Sequence, residues 1–110
     1  MDVSLFIKDF EMGAKVSNKL TELDSLFEFS EKSSDISDST QLIIVDLDNE
    51  ETGNELFIHQ IAVERNEIKI VGFMKRVQKA YHEKFKMAGC SVILPKSSLV
   101  KNLSTFLESK

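Results

Sequence analysis

Charged residues occur where several apolar segments of this chain end. Lys8 and Asp9 follow the first such segment, Asp46 and Asp48 follow the third, and Lys96 follows the fifth. Grouped carboxylates supply the oxygen ligands that hard divalent cations take, and a carboxylate can also be the nucleophile that accepts a phosphoryl group. Charged residues at strand ends are also common as solvated loop residues, so the residue types alone leave both interpretations open.

Short apolar segments alternate with helical spacing along the chain, which is the pattern of a βα protein. We predict five strands, namely Val3 to Ile7, Leu26 to Phe29, Leu42 to Val45, Ile68 to Phe73 and Val92 to Leu94. Continuous apolar runs are typical of buried parallel strands, and the second run, the weakest, is predicted to be an edge strand. Ligands of such sheets bind beyond the carboxyl ends of the strands, where the charged residues would meet.

Four stretches carry apolar residues on one helical face and are predicted to be helices. Their apolar positions are Met12, Val16, Leu20 and Leu23; Leu56, Phe57, Ile58, Ile61 and Ala62; Val77, Tyr81, Phe85 and Ala88; and Leu99, Leu103, Phe106 and Leu107. Gly89 is predicted to cap the end of the third helix, and Ser97 or Ser98 the start of the fourth. The segment 31–40 is rich in Ser and Asp and is predicted to be a loop with at most one helical turn.

These elements predict an α/β, flavodoxin-like three-layer sandwich with a five-stranded parallel sheet in the order 2-1-3-4-5. The second helix of the regular pattern is shortened or missing, and residues 1–110 form one domain. The predicted core contains Leu5, Ile7, Val16, Leu20, Ile43, Val45, Ile61, Ile70, Phe73, Phe85, Ile93, Leu103 and Leu107.

The composition suggests neither nucleic acid nor a membrane as a partner. The chain has 110 residues and a net charge of -4, so it lacks a strong basic field. No basic-then-apolar leader and no apolar run near the ~20 residues of a membrane span are present, so we expect a soluble cytoplasmic protein. Its one cysteine, Cys90, can form no internal disulfide.

Two stretches carry a resemblance to the receiver domain of response regulators. Residues 42–47, LIIVDL, followed by TGNEL at 52–56, resemble the receiver strand that ends in the phosphoacceptor aspartate before a glycine opens the next helix. Residues 88–90, AGC, followed by VILPK at 92–96, resemble the stretch that leads to the lysine of the family. The resemblance implies that Asp46 is the acceptor position, that Lys96 is the phosphoryl-binding lysine and that Asp9 is one of two metal-binding acids.

Other positions depart from the receiver pattern. Lys8 stands in place of the second metal-binding acid, Met74 in place of the Thr or Ser that contacts the phosphoryl group, and Ile93 in place of the aromatic switch residue. Phosphoryl transfer needs a divalent ion to offset the developing charge, and each lost contact weakens that stabilisation. We therefore predict a divergent pseudo-receiver that is not an enzyme, holds no metal and uses no cofactor.

The leading hypothesis is a signalling or scaffold domain that binds another protein, such as a histidine kinase or an output protein. The surface commonly used by receivers surrounds the third and fourth predicted helices and the last two strands. The basic residues of this region are Lys75, Arg76, Lys79, Lys84 and Lys86, which either form a solvated helix face or bind a partner.

Two alternatives stay open. The chain could be a stand-alone receiver that a histidine kinase phosphorylates on Asp46, with magnesium held by Asp9 and Asp48. Less favoured is a phosphatase of the Asp-x-Asp type built on Asp46 and Asp48. If the receiver-like alignment holds, the ammonium of Lys8 is expected to project between Asp9 and Asp46 and to replace the metal, because one lysine can bond two carboxylates.

Overall fold

The computed structural model describes residues 2–108 and shows a five-stranded parallel sheet in the order β2-β1-β3-β4-β5. The strands are β1 (Asp2–Phe6), β2 (Leu26–Phe29), β3 (Thr40–Asp46), β4 (Lys69–Met74) and β5 (Val92–Pro95). The helices are α1 (Phe10–Glu22), α2 (Glu55–Glu64), α3 (Lys79–Ala88) and α4 (Lys96–Glu108). The predicted strand order and α/β class are therefore confirmed.

The sheet separates two apolar clusters. Val16 and Leu20 of α1 and Leu99 and Leu103 of α4 pack on one face, in a cluster with Leu5. On the other face the side chains of α2 and α3 pack against β3 and β4 in a second cluster, which includes Ile43, Ile58, Ile61, Ile70 and Phe85. Because both faces of β3 and β4 are covered, residues 42–45 and 70–74 include no polar side chain, as is typical of central parallel strands. The predicted core is buried except for Leu107, which is half-buried.

Two of the predicted apolar helix positions are exposed, and a third, Val77, lies two residues before the start of α3. Ile58 and Ile61 of α2 face the sheet, and Leu56, two residues before Ile58 and so about 200° away around the helix, is exposed. Tyr81 lies in the first turn of α3 and is also exposed, with its ring stacked on that of Phe85. Tyrosine tolerates this position because its hydroxyl can remain in water while its ring packs.

The predicted caps had mixed outcomes. Gly89 follows α3 at φ 137°, a conformation that favours glycine, and its N–H bonds the carbonyls of Phe85 and Lys86, which confirms the predicted C-terminal cap. The serine cap of α4 is wrong, because α4 begins at Lys96 directly after Pro95. Ser97 and Ser98 consequently lie inside its first turn.

Between β2 and β3, where the regular βα pattern has a helix, the chain forms only one short 3₁₀ turn at Ser33–Asp35. The Asp35 carboxylate accepts hydrogen bonds from the N–H groups of Glu31 and Lys32 at 3.0 and 3.1 Å, which closes this turn locally. Ile36, the one strongly apolar residue of segment 31–40, is buried and anchors the segment to the core. The predicted loss of the second helix is confirmed, and β2 is an edge strand.

None of the helices within residues 2–108 combines the length and the apolar character needed to cross a membrane.

Candidate functional site

Asp46 occupies the end of β3, in the middle of the rim formed by the carboxyl ends of the strands. The backbone of Phe6 pairs with Val45 and that of Asp46 with Phe73, so β1, β3 and β4 end at one level. The carboxylate of Asp46 accepts the N–H of Asp48 at 2.9 Å, and its carbonyl accepts the hydroxyl of Thr52 at 2.7 Å. One side-chain oxygen and the backbone carbonyl of Asp46 are therefore both bonded to the loop that follows β3.

Burial raises the pKa of the half-buried Asp46 above its ordinary value, because water is excluded from its charged form. The hydrogen bond from the Asp48 N–H lowers the pKa, the charge of Asp48 raises it, Lys96 lowers it and Asp9 raises it. Asp9, Asp46, Asp48 and Lys96 are thus close enough to influence one another, as the sequence predicts for residues at neighbouring strand ends.

Asp9 has a structural part in this pocket. It is the N-cap of α1, and its Oδ2 accepts the N–H of Met12 at 2.9 Å. The same oxygen lies 3.6 Å from the ammonium of Lys96. One oxygen of Asp9 therefore contacts both the first turn of α1 and the first residue of α4, and it links the two helices across the rim.

Asp48 connects the loop after β3 to the loop after β4. Its Oδ2 accepts the N–H of Lys75 at 2.6 Å, and the backbone N–H of the preceding residue, Leu47, donates to the carbonyl of Phe73 at 2.9 Å. The side chain of Leu47 is buried over Gly72, where a Cβ atom would come within 2.6 Å of Leu47 Cδ1. Gly72 therefore makes room for the loop that carries Asp48.

The position predicted for Lys8 is wrong. Its ammonium was expected between Asp9 and Asp46, but it forms its ion pair with Glu51, and both side chains are substantially exposed. The hydrogen bond to Glu51 raises the pKa of Lys8. Lys8 follows the buried Ile7 at the end of β1 and is directed to solvent, so its long side chain reaches the exposed loop rather than the pocket. The cation that meets the acids is Lys96.

Met74 and Ile93 are buried in the apolar cluster beneath α2 and α3. Met74 has no hydroxyl to offer a phosphoryl group, and its neighbour across the sheet is Pro95. Ile93 has no ring that could change between buried and exposed positions, and it packs as an ordinary core residue. Both positions identified as degenerate from the sequence are thus filled with apolar side chains.

The acids that would hold the magnesium ion implied by the receiver fold are partly engaged in contacts within the protein. Within residues 2–108, no group of three or more Asp, Glu, His or Cys side chains is arranged to hold a metal ion. One oxygen of Asp9 is occupied by Met12 and Lys96, and one of Asp48 by Lys75. A hard cation needs several free oxygen ligands at once, and these contacts take up some of those available.

Sequence reasoning missed three contributors to the site, namely Glu51, Thr52 and the backbone of Lys75. One signal was available, because Asp side chains commonly accept the N–H two residues on, as Asp46 does from Asp48. Asn49 repeats this turn by accepting the N–H of Glu51 at 2.9 Å. No local pattern predicts the contact between Asp48 and Lys75, which are far apart in the chain.

Solved structures similar to this chain include receiver domains of response regulators. A CheY-like receiver domain protein from Methanospirillum hungatei superposes with a TM-score of 0.82 at 11% identity, over 97% of this chain and 90% of that one. An orphan response regulator of H. pylori, HP1043, gives 0.81 at 16% identity, over 98% and 93%. A response regulator from Thermotoga maritima gives 0.80 at 15% identity, over 98% of both chains.

No protein-family model matches the sequence, and no curated protein matches it. At these identities the likeness establishes the fold. The chain therefore has the fold of the receiver domains of response regulators, a class of signalling domains, as the motifs around Asp46 and Lys96 predicted.

Proposed function

We propose that this chain is a divergent receiver that signals by binding a protein partner and has no enzymatic activity of its own. The observation that carries the proposal is the state of the acidic pocket. Lys96 pairs with Asp9, and Asp48 accepts the backbone N–H of Lys75, so groups that would serve phosphorylation are engaged in contacts within the protein. We infer that Asp46 keeps its place in the pocket without being phosphorylated and without magnesium.

The buried Met74 and Ile93 support this proposal. In the receiver pattern these positions carry the hydroxyl and the aromatic side chain that respond to the phosphoryl group. Because Met74 and Ile93 are apolar core residues, neither position has a side chain that could respond to a phosphoryl group on Asp46. We therefore propose one permanent conformation, in which the partner recognises the domain as it stands.

The surface of α3 and the loop before it is the proposed binding region. Lys75, Arg76 and Lys79 are exposed and form none of the ion pairs within residues 2–108. Lys84 and Lys86 are engaged locally, since Lys84 pairs with Glu55 at 3.3 Å and Lys86 bonds the carbonyl of Ser91 at 2.6 Å. Three available cations on a chain of net charge -4 favour an acidic surface on the partner.

Phosphorylation is tested with acetyl phosphate and magnesium, followed by intact mass and by the amide NMR spectrum around Asp46. We expect neither a phosphorylated species nor a saturable magnesium response, because the acids are already bonded. A modified mass that Asp46→Asn abolishes would establish the phosphorylated alternative instead, and saturation of the wild type at millimolar magnesium or below would contradict the proposed absence of magnesium.

The binding region is tested by identifying proteins that the chain captures and then comparing two variants of equal charge change. Lys75→Glu with Lys79→Glu reverses the proposed surface, whereas Lys15→Glu with Lys19→Glu reverses charges on α1. We expect the first variant to lose the partner and the second to retain it. Equal retention by both variants would contradict the proposed surface.

A further inference from the structure

β2 is an edge strand of the sheet, and its outer side pairs with no other strand within residues 2–108. The side chains of Leu26 and Phe29 are 71% and 53% exposed, and Phe10 at the nearby start of α1 is 90% exposed. Three large apolar side chains at one edge of a sheet are unusual, because proteins commonly protect edge strands with charges, bulges or a covering element. This edge is remote from α3 in the sheet order, with β1, β3 and β4 in between.

The backbone of β2 has hydrogen-bonding groups to offer at this edge. Ser30 donates its N–H to the carbonyl of Leu5 in β1, so the alternate residues Glu28 and Leu26 also direct their backbone groups to β1. Phe27 and Phe29 consequently direct theirs to the outer edge. Within residues 2–108, no hydrogen bond outside the sheet ladder is made by the backbone of either phenylalanine.

An apolar groove accompanies the open edge on the α1 side. It has a volume of about 390 Å³, and its walls include Ile7, Phe10, Gly13, Ala14 and Phe29. Gly13 widens it, because a Cβ atom there would lie 3.2 Å from Cε1 of Phe29. Side chains of an added strand that point to the α1 face would lie beside Phe27 and Phe29 and enter this groove.

The charge of this region selects among possible occupants. Residues 22–35 contain five acids and one lysine, a net charge of -4, and all six are exposed; they are Glu22, Asp24, Glu28, Glu31, Asp35 and Lys32. Two copies of this chain paired edge to edge would bring these acids together, and like charges opposite one another destabilise a strand pair. An extended segment that carries positive charge has the complementary chemistry.

We propose that β2 binds an extended segment of another protein as a sixth strand, with apolar side chains alternating with lysine or arginine. Backbone groups of Phe27 and Phe29 supply the ladder hydrogen bonds, as in other cases of strand addition. Apolar side chains of the segment enter the groove beside α1, and the basic side chains lie on the opposite face beside Glu28. This site is separate from the α3 surface and does not depend on the state of Asp46.

The probe is a short blocked peptide in which valine and lysine alternate, titrated into isotope-labelled protein and followed by amide NMR. We expect saturable chemical-shift changes at Phe27, Phe29 and Gly13. Added salt should weaken the binding, because screening reduces the attraction between the charges. A peptide of the same sequence with alternate backbone nitrogens methylated should bind about tenfold more weakly or worse, since each lost hydrogen bond removes about a factor of ten. A peptide in which valine and glutamate alternate should bind no more tightly than the methylated peptide.

Variants of the protein separate this site from the α3 surface. Glu28→Lys should weaken the valine-lysine peptide about tenfold and favour the valine-glutamate peptide, whereas Lys75→Glu with Lys79→Glu should leave the shifts at β2 in place. Shifts centred on α3 or on the acidic pocket, or equal binding of the methylated peptide, would overturn the proposal. So would exchange-protected amides at Phe27 and Phe29 in a protein that sediments as a dimer, because a second copy would then close the edge.

Discussion

Replacement of Asp9 tests whether this residue serves the fold rather than a metal. Its Oδ2 accepts the N–H of Met12 at 2.9 Å and lies 3.6 Å from Lys96. Loss of an N-cap side chain costs about 0.5–2 kcal/mol of stability. The side chains of Asp9 and Lys96 are 45% and 42% exposed, so solvent screens their pairing to about 0–1 kcal/mol. We expect Asp9→Ala to lower the free energy of unfolding by about 1–2 kcal/mol in total.

The Asp9→Asn variant separates the cap from the charge. Asparagine caps helices as well as aspartate, so this variant should lose only the ion pair and the favourable charge at the helix start, about 0.5–1 kcal/mol. Urea unfolding gives both values, with the slope of the transition unchanged. In about 1 M salt the deficit of Asp9→Asn should largely vanish, while that of Asp9→Ala should persist.

The same variants report on the pocket. Asp9 is one of the charges that raise the pKa of Asp46, and Lys96 lowers it. Removing the charge of Asp9, which also releases Lys96 from its ion pair, should lower the pKa of Asp46 in a carboxyl NMR titration. Equal destabilisation by Ala and Asn at high salt would refute the capping role, and an unchanged pKa of Asp46 would refute the electrostatic coupling.

Three further outcomes are expected. Ile70→Ala should lower stability by about 2–5 kcal/mol in urea unfolding, because the side chain is fully buried in β4; a loss below about 1 kcal/mol would place it elsewhere. Burial raises the pKa of Asp46 above the unfolded value of 3.8, so ionisation of Asp46 opposes folding. The Asp46→Asn variant should therefore gain stability relative to the wild type as the pH rises through the folded pKa, with no such gain below 3.8. A constant difference in stability across that pH range would contradict this expectation. Gly89→Ala should destabilise by more than about 1 kcal/mol, because its φ is positive and the added Cβ would lie 2.5 Å from that of Ala62; an unchanged melting temperature would refute the strain.

Much of the fold was predictable because its determinants are local. The alternation of short apolar runs with helical spacing depends on burial against neighbours a few residues away, and it predicted five strands and four helices. The Ser- and Asp-rich segment 31–40 offered no apolar face, and a segment without one gains too little from burial to form a full helix. The rim positions of Asp9, Asp46, Asp48 and Lys96 followed from the same pattern, because parallel strands end on one side of a sheet.

Only the tertiary structure shows which carboxylate each long lysine side chain reaches. Lys8 pairs with Glu51 and Lys96 with Asp9, although the sequence made Lys8 the expected neighbour of Asp9 and Asp46. The flexible stem of a lysine can reach several carboxylates, and small differences in distance and solvation choose among them. The exposure of Leu56 depended likewise on which side of α2 met the sheet. Local hydrophobic pattern therefore determined the framework of this protein, while through-space charge and solvation decided how its pocket is filled.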